Sequence, residues 1–227
     1  MNEPAMYPPS DHATALADES VEVALVGAAF ALAAEKGWNR VSVADAARRA
    51  GISLVMARAR LLSRPAILRR LVRMADAAAL AEVPNEGSPR DRLFDLLMRR
   101  IDALQAHRAG VLAMLKGLAF DPATAMLLTL TTQTSMGWML DAAGIERGGS
   151  LGRLSDRMRV KGLVVVWLWT IRAWRSDESL DLTATMAALD TALARAENAA
   201  PWLDFRDAKN SRATVPPDAD AAILEPA

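Results

Sequence analysis

Apolar side chains along this chain recur with helical spacing. Val21, Leu25, Ala28, Ala29 and Leu32 fall on one stripe, and Gly37 closes the segment, so a first helix is expected from about Ser20 to Lys36. Ser42-Val43-Ala44-Asp45 has the form of a capping box opening a second, short helix that Gly51 stops near Ala50. Ser53 then caps a third short helix to about Leu61. Ser63 with Pro65 starts a fourth, carrying Ile67, Leu68, Leu71 and Met74. Two short helices around a tight glycine turn make a helix-turn-helix unit.

Pro84, Asn85 and Gly87 interrupt the pattern and mark a seam between a head and a body. Ser88-Pro89-Arg90-Asp91 opens the next helix, with Leu93, Leu96, Leu97, Ile101 and Leu104 on its apolar stripe. Asp121-Pro122 opens another, carrying Met126, Leu127, Leu130 and Trp138, which Gly144 and then Gly148-Gly149 close. Two long helical segments follow, Leu151 to Arg175 and Asp181 to Glu197, the second stepping through Leu182, Met186, Leu189 and Leu193. No stretch alternates long enough for a sheet. The expected fold is all-α, about nine helices: a three-helix head over 20–83, joined by a long fourth helix to a helical ligand-binding and dimerisation body over 84–200. The segments 1–19 and 201–227 read as disordered tails.

Ala, Leu and Arg dominate the 227 residues, which suits helices. The most apolar run, Gly162 to Ile171, is about half the ~20 residues a bilayer span needs and reads as a buried helix, so no stable membrane insertion is expected. No secretory signal opens the chain and cysteine is absent, which is consistent with a cytoplasmic protein. His12 and His107 are isolated, His107 reading as a solvent-exposed or capping residue. No metalloprotease motif, phosphate loop or serine elbow occurs, so neither an enzyme nor a metal or cofactor site is expected.

The formal net charge is zero, but the charge is unevenly spread. From Lys36 to Arg73 there are ten bases and one acid, Asp45. A local excess of one sign is the footprint expected where a segment meets phosphates.

The stretch from Ala33 to Ser53 carries the most specific pattern. It runs from small residues through Glu35-Lys36-Gly37 and the aromatic Trp38 to Ser42-Val43-Ala44-Asp45-Ala46-Ala47 and Arg49-Ala50-Gly51-Ile52-Ser53. It resembles the head of the TetR family of transcriptional regulators over some fifty residues; the body resembles that family in helix count more than in residues. The resemblance implies a homodimer that binds double-stranded DNA, with its third helix in the major groove and a small apolar effector held in the body. The implied DNA-contacting residues are Ser42, Arg48, Arg49, Ser53, Leu54, Val55, Met56, Arg58, Arg60 and Arg64. Arg58 and Arg60 stand where the family usually has an aromatic and a histidine on phosphates, and Arg64 where a phosphate-binding lysine is common. Leu54, Val55 and Met56 depart from the family's polar base-reading residues, although an apolar side chain can meet a thymine methyl. One or two of these three could instead face the core of the head.

Candidate pocket walls are Leu97, Ile101, Met114, Met126, Met136, Trp138, Met139 and Trp167, because Met and Trp form an adaptable apolar lining. A weaker similarity joins Trp167 to Asp181, with Thr185 and Leu189-Asp190, to the COQ9-like proteins. These share the architecture, have lost DNA binding and hold isoprenoid lipids for quinone synthesis, so the alternative expectation is a lipid-binding protein.

Overall fold

A computed structural model describes residues 11–82, 86–145 and 153–199. These form nine α-helices without a strand: α1 Asp11–Lys36, α2 Val43–Ala50, α3 Leu54–Arg60, α4 Arg64–Leu80, α5 Pro89–Gln105, α6 Arg108–Gly117, α7 Pro122–Ala142, α8 Arg153–Ser176 and α9 Thr183–Ala199. Residues 1–10 of the tail expected over 1–19, the tail expected over 201–227, and the breakers Pro84, Asn85, Gly148 and Gly149 lie outside the described residues. The expected tail over 1–19 needs correction, since α1 begins at Asp11 rather than near Ser20.

Local chemistry sets most helix ends. Ser42, Ser53 and Ser88 each accept a backbone N–H from three residues on, and Asp121 does the same for Thr124 at 3.0 Å. Ser88 and Asp91 complete a reciprocal capping box. Asp45 behaves differently from expectation: its carboxylate is taken up by Lys36, at 2.9 Å, and by Arg48.

The buried side chains make one continuous cluster from Leu25, Phe30 and Trp38 in the head to Leu97, Met136, Trp174 and Leu189 in the body. Helix α1 leans on both α2 and α6, α4 lies along α5, and α8 pairs with α9. The closest approach is at Gly110 of α6, where a Cβ would lie 2.1 Å from the Phe30 carbonyl oxygen of α1. Only glycine allows these two backbones to meet. His107 holds the N-cap position of α6, one of its two expected roles, but its side chain makes no cap bond and is half-buried rather than exposed. Its ring packs against Phe30 with centroids 6.0 Å apart, and burial pushes its pKa below the ordinary 6.5.

Two apolar stripes are turned differently from the expectation. Within the run 162–171, Leu163, Val166 and Trp167 are buried, but Val165, Leu168 and Trp169 are exposed, so α8 is not buried all round. On α7, Met126, Leu130 and Trp138 face outward, while Thr124, Thr132, Ser135, Met136 and Met139 face inward. Two of the inner hydroxyls have acceptors nearby: Thr124 donates to Asp121 at 2.7 Å, and the Ser135 O–H is shared between Asp76 at 2.6 Å and the Thr131 carbonyl at 3.0 Å. No single helix among the described residues is long and apolar enough to cross a membrane.

The segment from Trp167 to Asp190 is occupied in joining α8 to α9. Asp177 accepts from the backbone N–H and hydroxyl of Thr185, both at 2.7 Å, and from the Ser179 hydroxyl at 2.5 Å, which holds its carboxyl well below the usual carboxylate range. Trp174 donates its indole N–H to Gln105 at 2.8 Å, and Arg108 donates to the carbonyls of Trp174 and Asp177. These polar residues therefore serve packing of the body.

Candidate nucleic-acid interface and internal cavity

Helices α2 and α3 meet through a turn that needs a left-handed residue, supplied by Gly51 at φ 68°. Its N–H and that of Ile52 return to the carbonyls of Arg48 and Ala47, at 3.3 and 3.0 Å. Below this turn Ala46, Ala47 and Ala57 are buried against α1, which fixes the outer face of α3. On that face Leu54, Val55 and Met56 are 56%, 81% and 48% exposed, so none of the three serves the core. Leu62, just past the helix, is exposed as well.

The arginines around α3 are in different situations. Arg48 is exposed and held by Asp45, whose own pKa lies well below the carboxylate range, chiefly because Lys36 donates to it. Arg49 pairs with Glu35 at 2.7 Å on the surface, and Arg60 pairs with Asp18 of α1. Arg58 is exposed and has no acidic partner among the described residues. Arg64 turns inward: it bonds Asp121 at 3.0 Å and the Asn39 carbonyl at 2.8 Å, and its guanidinium lies 5.9 Å from the Trp38 ring. Ser42 and Ser53 are engaged as helix caps. All ten predicted residues thus lie on α2, α3, their caps or the first residue of α4, with Arg58 the most available cation and Arg64 the least.

A cavity of about 240 Å³ lies in the body between α4, α5, α6, α7 and α8. Of the predicted pocket residues, Met114 and Trp167 line it. Leu97, Ile101, Met136 and Met139 are fully buried in the core beside it, and Met126 and Trp138 point to solvent. Arg100, the only charged side chain that the described residues bring to the wall, is not among the predicted pocket residues. The signal was present: Arg100 lies seven residues after Leu93, three after Leu97 and four before Leu104, on the buried stripe of α5. Val111 and Leu115 of α6 line the same cavity, next to the Gly110 contact with α1.

No protein-family model and no curated protein matches the chain. Solved structures do resemble it. A TetR transcriptional regulator from Nitrosomonas europaea ATCC 19718 is 23% identical, with a TM-score of 0.63 over 78% of this chain and 98% of that one. A TetR transcriptional regulator from Rhodococcus sp. RHA1 is 22% identical, with a TM-score of 0.56 over 80% and 97%. The fold is thus that of TetR regulators, a helix-turn-helix head on a helical body.

Proposed function

We propose that this chain, built on the fold of TetR transcriptional regulators, is a homodimeric DNA-binding regulator controlled by a small, mainly apolar effector. The observation that carries the reading is the outer face of α3: a capped helix, anchored from behind by Ala57, that presents side chains and an unpaired arginine to solvent. A helix so presented after a tight turn fits the major groove. Arg58, Arg48 and Arg49 supply phosphate contacts, Arg60 joins them on release from Asp18, and Leu54, Val55 and Met56 meet the base edges. Arg64 instead secures the head to α7.

Effector control follows from α6. Its Val111, Met114 and Leu115 face the cavity while its Gly110 rests on Phe30, so a ligand that shifts α6 must move α1, and α1 carries the head. The lipid-carrier alternative is not retained, because the residues behind it are used in joining α8 to α9.

The test is binding of the purified protein to the DNA flanking its own gene across a salt series, with Arg58→Ala alongside. We expect salt-sensitive, site-specific binding, and a salt slope reduced by about one unit in the variant. Binding that is weak, non-specific and indifferent to the substitution would overturn the reading.

A further inference from the structure

Arg100 stands in the cavity wall at 3% exposure, where Thr129 and Thr132 are its only polar companions in the lining among the described residues. Its Nε lies 2.8 Å from Asp76 Oδ1, near enough for an ion pair though not aligned as a hydrogen bond. The Trp167 ring, also in the wall, lies over the guanidinium with its centroid 4.4 Å away. Nη1 of Arg100 has no hydrogen-bond partner among the described residues. A buried guanidinium N–H without an acceptor is costly, and none of the described residues supplies one.

Size and charge restrict what can. Benzene fills an apolar cavity of about 150 Å³, so about 240 Å³ accommodates roughly ten non-hydrogen atoms at similar packing. Asp76 already balances Arg100, and the described residues bring no second cation to the wall. A carboxylate ligand would therefore leave an unbalanced negative charge in an apolar site. A neutral acceptor oxygen satisfies the N–H without that penalty.

We infer that the cavity binds a neutral, mainly apolar molecule of about ten non-hydrogen atoms carrying a carbonyl oxygen, as in a ketone, ester or lactone, which accepts a hydrogen bond from Arg100 Nη1. This specifies the effector class of the proposed regulator, and rests on that reading only for what binding does at DNA.

The experiment titrates the full chain, without DNA, with three probes of about equal size, followed by calorimetry and tryptophan fluorescence: propiophenone, n-butylbenzene and phenylacetate. Propiophenone is expected to bind at least about tenfold more tightly than either of the others. In the double variant Asp76→Asn with Arg100→Met, the ketone's advantage over butylbenzene should shrink to about twofold or less. Equal binding of butylbenzene, tighter binding of phenylacetate, or no binding of any probe overturns the inference. Should the variant not fold, the comparison on the unaltered protein still decides. Ketone binding by a chain that ignores DNA would defeat the regulator reading and leave this one standing; DNA binding without ketone selectivity would do the reverse.

Discussion

Each arginine near α3 takes its role from what the fold sets beside it. Along the chain the segment from Lys36 to Arg73 carries a large positive excess, yet Asp18, Glu19, Glu22, Glu35 and Asp121 come in from outside it to pair with Arg60, Arg70, Arg49 and Arg64. Of these pairs only Arg49–Glu35 is exposed on both sides and therefore weak, so phosphate can compete for Arg49 most readily; Arg64 and Arg70 are held in partly buried pairs. Arg58 needs no such exchange. The exposed apolar trio beside it has few partners in a major groove other than the thymine 5-methyl group. Replacing thymine by deoxyuridine in the bound DNA removes only that methyl, and should weaken binding about fourfold for each methyl that meets the trio. The effect should shrink in Val55→Ala. Unchanged affinity of the unaltered protein for uridine-substituted DNA would show that these side chains read something else.

At the scale of elements, α6 both lines the cavity and packs tightly against α1 of the head. A methyl at Gly110 would meet the Phe30 carbonyl oxygen at 2.1 Å, so the two helices must part to admit it. Gly110→Ala is therefore expected to lower stability by about 1–3 kcal/mol in urea unfolding, and to uncouple ligand binding from DNA affinity. A loss below about 0.5 kcal/mol would mean that the joint yields readily and carries little signal.

Across the whole molecule, α8 leaves Val165, Leu168 and Trp169 in solvent, an apolar face suited to a second copy of the chain. Val165→Glu should convert a dimer to a monomer in sedimentation, because it places a charge on that face. It should change the stability of the monomer by no more than about 0.5 kcal/mol, since the residue packs against little within one chain. A dimer that survives the substitution would place the contact elsewhere.

Most of the head was legible because its signals are local. Ser42, Gly51, Ser53 and Pro65 act on their own backbone within one turn, and such chemistry survives in any fold that lets the helix form. The helix periods of the body were legible for the same reason, except that of α6, Arg108–Gly117, which no apolar stripe or cap in the sequence marked out. What periodicity gives is a stripe, not its orientation: α7 has apolar residues on both faces, and only packing against α4, α5 and α8 decided that Met136 and Met139 go inside while Met126 and Trp138 go out. The cavity wall, the neutralised arginines and the Gly110 contact all join residues far apart in sequence. Their pairing depends on where whole helices come to rest, which burial of the common core determines and no local pattern encodes.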